Sequence, residues 1–462
     1  MQELHLLVAS HGMWGEPVHL DEMAKAIRNK FSETDEKGAR LHVLVAETNA
    51  LDSTYDGIDW GGERLADEVL KEINELEKDN IHKVTRFSAV GYSLGGLLVR
   101  YMIGVLNQRK FFDGIEPINF TTFASPNIGL VRTDSSISKI EFKIMPKVMN
   151  RTGPQFYGLD SWSASGQPLV EVLADPKGIF YQGLAKFQRL SLYGSAYGDR
   201  TVPYSTALIE AKDPFYNHAK NGMTIAMDEK YTPIVVSYDI PTGLPIPDPN
   251  ARTTCRVARR PRSPKPETPP ILPLKFPLNI LFKALLPLLI PLGVTAAFVK
   301  LSLDSSKSRK RLKNLEQEET FQDRLANVLR RMDEETVNAI TELLEEVTER
   351  EETEEESEEN RAQLYIQSAT SSRTNIDART PARILGTDRS PVGAKAHGGP
   401  LLSPLQVKII GSLNELPFNK YAACFPGAFN SHSVIISRDL KQFPFHDQGR
   451  PVLQHWADHF IL

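Results

Sequence analysis

The segment Gly91-Tyr92-Ser93-Leu94-Gly95 limits the folding options more than any other part of the chain. It follows the short apolar run VTRFSAV at 84–90 and precedes a longer apolar run, 94–106, that reads as a helix. A Gly-x-Ser-x-Gly pentapeptide between strand and helix makes a turn so tight that the serine backbone is strained and its hydroxyl is lifted above the sheet. The positions two before and two after must then be nearly free of side chain, as Gly91 and Gly95 are, and Gly96 lets the helix approach the neighbouring strands. The helix N-terminus also favours negative charge developing beside Ser93. Ser93 is therefore the candidate nucleophile. The bland alternative, an incidental glycine-rich turn, explains neither flank.

The surrounding chain supports that context. Short apolar runs at 4–9, 41–47, 84–90, 118–124 and 187–194 alternate with longer amphipathic stretches. Between them, Leu65, Val69, Ile73 and Leu76 share one helical face. Alternation of this kind predicts an α/β fold, with a mostly parallel sheet, flanking helices and active-site loops at the strand C-termini. The stretch 130–186 mixes glycine, proline and aromatic residues and is read as a possible cap.

Acyl transfer at Ser93 needs an oxyanion hole, built in such folds from the amide after the nucleophile and one from an earlier strand-end loop. Leu94 supplies the first, and Met13 or Gly12, in Ser10-His11-Gly12-Met13-Trp14-Gly15, supplies the second. His11 reads as a brace for that loop rather than as the base. The acid and base should follow the serine in the chain. Asp199, in Tyr197-Gly198-Asp199-Arg200, lies in a loop past a predicted strand and is the preferred acid, ahead of Asp160 and Asp175 in the irregular stretch. Of His432, His446, His455 and His459, the first is preferred as base because PGAFNSHSVIIS places it in a loop before an apolar run expected to be a strand. Asp199 would hold the His432 imidazole in the tautomer that accepts the Ser93 proton. The chemistry calls for no metal or other cofactor.

Charge and cysteine content fit this reading. A formal net charge of −4 over 462 residues gives no field of one sign that would mark a nucleic-acid partner. Cys255 and Cys424 match no metal-ligand spacing and suit a reducing compartment. The first residues lack a basic region followed by a long apolar run, so no signal peptide is expected.

The catalytic core is assigned to 1–245 and resumes at 404–462, where QVKIIGSLNEL reads as a helix and FNKYAACFP as a strand. Between these lie a basic, proline-rich linker (246–270), an apolar segment (271–303), a basic stretch with an amphipathic helix (304–349) and an acidic, polar segment (350–403) expected to be disordered. The apolar segment carries Lys283 and the internal prolines Pro287 and Pro291, which suit a bent, shallow insertion or hairpin better than a straight transmembrane helix. Basic clusters at 256–265 and 307–313 flank it, so both ends are expected on the cytosolic face. A buried core hairpin and a single straight span are the alternatives.

HGMWGEPVHL, VGYSLGGLLVRYMIG, FASPNIGL, GDRTVPYSTA, NSHSVIISRD and HWADHF together resemble a fungal serine esterase/lipase family with the α/β-hydrolase fold. Within it the chain looks most like lipid-droplet phospholipases of the phospholipase B type. The resemblance implies Ser93, Asp199 and His432 as a triad, and a glycerophospholipid or other acyl ester as substrate. It also implies a long insertion between acid and histidine, and a lipid-droplet or endoplasmic-reticulum location. Tyr92 stands where many lipases carry histidine. The competing readings are a neutral-lipid lipase or thioesterase using the same triad, and a catalytically silent lipid-surface protein; protein partners are not indicated.

Overall fold

The computed structural model describes residues 1–34, 38–133, 136–241, 278–315, 385–386 and 400–462. Six strands form the central sheet: β1 (Gln2–Ser10), β2 (Arg40–Val45), β3 (His82–Tyr92), β4 (Glu116–Phe123), β5 (Arg189–Ser195) and a last strand, Phe418–Ala423. Three shorter strands precede that last one in the chain: β6 (Thr224–Met227), β7 (Val235–Asp239) and β8 (Leu385–Gly386), which makes it β9. The six-stranded order is β2-β1-β3-β4-β5-β9, and every neighbouring pair is parallel. Strands β6, β7 and β8 form a separate small sheet that the apolar periodicity does not announce.

Parallel neighbours need crossovers, and the helices supply them on both faces. These are α1 (Asp21–Lys30), α2 (Ile58–Glu77), α3 (Leu94–Gln108), α4 (Ser136–Val148), α5 (Thr152–Tyr157), α6 (Leu169–Val172), α7 (Ile179–Ala185), α8 (Tyr204–Ala207), α9 (Leu278–Leu315), α10 (Pro404–Leu413) and α11 (Arg450–Asp458). Alternation along the strands divides the core. In β1, Leu6 and Val8 pack with Leu65 and Val69 of α2 and with α3, while Leu7 and Ala9 pack with Met23 and Ile27 of α1 and Trp456 of α11. This is an α/β-hydrolase fold: a six-stranded parallel sheet, helices on both faces and a serine elbow after β3.

Residues 130–186 contribute α4 to α7, of which α7 lies directly on α3; a Cβ added at Gly104 would meet Phe180 at 2.1 Å. Two expectations are corrected. The run after His432 is not a strand: Val434–Ile436 is a buried 3-10 turn packed with α11, because an apolar run buried on all sides carries no period. Residues 278–303 do not turn back as a hairpin. They belong to the continuous helix α9, which passes through Pro287 and Pro291, each of which lacks an amide to donate. Among the described residues no helix is long and apolar enough to cross a membrane. Residues 246–270, 316–384 and 387–399, which include the acidic block, lie outside those described.

Candidate active site

Strand β3 ends at Tyr92 and α3 begins at Leu94, so Ser93 alone makes the turn, at φ +55° and ψ −123°. A positive φ is costly for a residue with a Cβ, and here the surroundings enforce it. The Ser93 amide is tied to the Phe123 carbonyl of β4 at 2.9 Å. A Cβ at Gly91 would stand 2.4 Å from Gly96, and one at Gly95 only 2.2 Å from the Ser10 carbonyl oxygen. A Cβ at Gly96 would stand 2.2 Å from Ser125 Oγ, so α3 can reach the sheet only because these positions are bare.

His432 Nε2 lies 3.0 Å from Ser93 Oγ, and its Nδ1 lies 2.8 Å from Asp199 Oδ2. The carboxylate accepts the Nδ1 proton, which leaves Nε2 as acceptor for the serine hydroxyl. Asp199 is fixed in turn: its Oδ1 accepts the Thr201 and Val202 amides, both at 2.8 Å, freeing Oδ2 for the imidazole. The loops of acid and base are sewn together. The Ser431 amide donates to Gly198 O, its hydroxyl to Ser195 Oγ at 2.9 Å, and Asn430 Oδ1 accepts the amides of both Arg200 and His432.

Tyr92 is a residue whose place the sequence does not reveal. Its hydroxyl donates to the His432 carbonyl at 3.1 Å, and its ring lies 5.1 Å from the imidazole, so both backbone and ring of His432 rest on it. Burial pushes the Tyr92 hydroxyl well above the usual phenol range, keeping it a donor. The signal was its position immediately before the nucleophile, the one motif site whose side chain lies on the opposite face of β3 from Gly91.

The Leu94 amide opens α3 and has no acceptor within the helix. Facing it, Gly12 lies against the nucleophile: a Cβ there would be 2.7 Å from Ser93 Cβ. The Gly15 amide closes the turn on Gly12 O at 3.0 Å, with Met13 and Trp14 at its tip. His11 bonds Gly12 O through Nδ1 at 3.1 Å, and burial lowers its pKa, so it is a neutral brace in the loop.

The other candidates lie elsewhere. Asp160 accepts the Leu169 amide and Asp175 the Lys177 amide, whereas it is Asp199 that meets His432. His455 Nδ1 bonds Tyr193 Oη at 2.8 Å, His459 stacks on His455, and His446 bonds Arg438 O.

Residues 1–213 match the family described as "Putative serine esterase (DUF676)". The match takes in Ser93 and Asp199 and stops before His432, which only the fold brings back. Putative lipase C4A8.10 of Schizosaccharomyces pombe is 26% identical over 210 residues, 45% of this chain and 26% of that protein. Putative lipase ROG1 of Saccharomyces cerevisiae is 31% identical over 211 residues, 44% of this chain and 28% of that one. The chain thus covers between a quarter and a third of the length of these relatives. Among solved structures, an extracellular alpha/beta-hydrolase from a Paenibacillus species is 17% identical, with 43% of this chain and 81% of that one covered and a TM-score of 0.24. At that score the strand order, not the superposition, carries the fold assignment.

Proposed function

We propose that this chain is a serine hydrolase that cleaves acyl esters of glycerophospholipids at a lipid surface. The hydrogen-bonded line Asp199–His432–Ser93, at a strained elbow, carries the reading. His432 takes the Ser93 proton as Oγ attacks the ester carbonyl carbon, and the carbonyl oxygen becomes an anion between the Leu94 and Met13 amides. Collapse expels the alcohol, which His432 protonates, and leaves an acyl-serine. Water activated by the same imidazole then releases the fatty acid and restores Ser93.

The lipid surface is argued from α9. Leu285, Leu289, Leu292, Phe298, Val299 and Leu303 are exposed on it, an apolar load that water does not favour and a monolayer or bilayer interface would take up. Lys300 lies among them and Lys307, Arg309 and Lys310 follow, suited to anionic head groups on a cytosolic leaflet. Endoplasmic-reticulum and lipid-droplet surfaces both offer this combination. A neutral-lipid ester or a thioester would pass through the same acyl-serine, and a substrate panel distinguishes them.

The deciding measurement compares wild type with Ser93→Ala for free fatty acid and lysophospholipid released from a mixed phospholipid extract. The variant is expected to lose activity by about four orders of magnitude or more. Full hydrolysis by Ser93→Ala would refute the assignment.

A further inference from the structure

Helix α9 has two unlike parts. Its first two-thirds carry the exposed apolar side chains, whereas Ser305, Ser308 and Leu312 near its end are buried against the body of the protein. There Arg311 grips the fully buried Asp56 with two bonds, Nε to Oδ2 at 2.8 Å and Nη2 to Oδ1 at 2.9 Å. Ser308 donates to Asp56 Oδ1 at 2.6 Å and accepts from Asn150 at 2.7 Å. Arg64 adds a second guanidinium to Oδ2 at 2.6 Å, and Arg311 Nη2 also reaches the Asp52 carbonyl at 3.1 Å. A forked guanidinium on a buried carboxylate fixes direction as well as distance.

Asp52 lies in the 3-10 turn Leu51–Tyr55 and Asp56 closes its C-terminal end, and this turn holds the oxyanion loop. The Leu51 amide donates to Gly15 O at 2.9 Å, Thr54 Oγ1 accepts the Trp14 amide at 3.2 Å, and Tyr55 Oη accepts Trp14 Nε1 at 2.7 Å. Trp14 needs such support, since it sits at φ +53° with its side chain 46% exposed. The Met13 amide lies in the Gly12–Met13 peptide, whose carbonyl accepts the Gly15 amide at 3.0 Å, so the hold of residues 51–55 on Trp14 and Gly15 limits where the Met13 amide points.

We propose that Ser308 and Arg311, acting through Asp56 and the turn 51–55, are positioning residues for the oxyanion loop. The helix that carries the lipid-facing surface thereby also sets the geometry of acyl transfer. This rests on the reading of the chain as a serine acyl hydrolase. Loosening the grip should weaken stabilisation of the tetrahedral oxyanion and leave ground-state ester binding nearly unchanged, a split that a general loss of structure does not produce.

The test uses the full chain without lipid, with p-nitrophenyl butyrate as soluble ester and an alkylboronic acid as mimic of the tetrahedral adduct on Ser93. Arg311→Gln is expected to lower kcat about tenfold or more, to leave KM within about twofold, and to weaken the boronate by the same factor as kcat. Arg311→Lys should recover part of the loss. Lys71→Gln, which removes one positive charge from an exposed residue of α2, should behave as wild type. Should Arg311→Gln not fold, Ser308→Ala decides, with a loss of roughly threefold expected in both kcat and boronate affinity. Values within twofold of wild type for kcat and boronate binding would overturn the proposal. Retained hydrolysis by Ser93→Ala would instead overturn the hydrolase reading beneath it, so the two failures are distinguishable.

Discussion

Asp199 illustrates how a single side chain is prepared by its neighbours. One carboxylate oxygen is spent on the amides of Thr201 and Val202, and the other is presented to His432. Asp199→Asn preserves shape but offers an amide donor or a weaker acceptor to Nδ1, so the imidazole is driven toward the tautomer that cannot take the serine proton. Turnover of a soluble ester is expected to fall by about four orders of magnitude while the protein folds normally. A fall of less than tenfold would remove Asp199 from the proposed relay. At this scale the sequence is informative where chemistry and spacing coincide: the elbow glycines, the loop aspartate and the loop histidine are all legible in it. Tyr92 was visible only as an unusual residue, because a hydrogen bond to a carbonyl 340 residues away has no local trace.

Elements show the same division. The five strands from β1 to β5 are legible as short continuous apolar runs, because helices cover both faces of the sheet, and α2 is legible as a stripe, because only one of its faces is buried. The turn at Val434–Ile436 and the continuity of α9 were not, since one is buried all round and the other carries prolines that composition treats as breaks. Helix α11 adds a testable consequence. Burial pushes the His455 imidazole down to about 3, against an ordinary value of 6.5, and His459 stacks beside it. The folded state therefore keeps His455 neutral where the unfolded chain takes up a proton. Stability owed to this site is present above pH 6.5 and is lost as pH falls toward 3, with a slope of up to about 1.4 kcal/mol per pH unit. Urea unfolding of His455→Gln between about pH 6 and 4 should show a shallower dependence, by close to one proton. An unchanged slope would mean that His455 is not the group responsible.

For the molecule as a whole, the sheet and the line of three side chains are complete without the apolar part of α9. Deleting 278–300 leaves Leu301 against the core and the Arg311 grip on Asp56 intact. Such a protein is expected to hydrolyse a soluble ester within about threefold of wild type while its partitioning onto phospholipid vesicles falls by about tenfold or more, since the buried apolar area is what drives interfacial binding. Flotation of the deletion variant with vesicles to the wild-type extent would rule out this helix as the anchor. The joining of Arg311 to Asp56 could not have been read from the sequence: charged residues 255 positions apart do not advertise which of their kind they will meet.

The position of β9 gives the chain a schedule as well as a shape. It is an edge strand, paired with β5 and the last of the six in the chain, and His432 follows it. Asp199 and His432 are 233 residues apart, so at ordinary translation speeds the ribosome needs on the order of ten to fifty seconds to pass from one to the other. Helix α9 is synthesised within that interval. On the proposed reading, α9 is made and free to reach a lipid surface while Ser93 still lacks its base, and the relay closes only once His432 has been added.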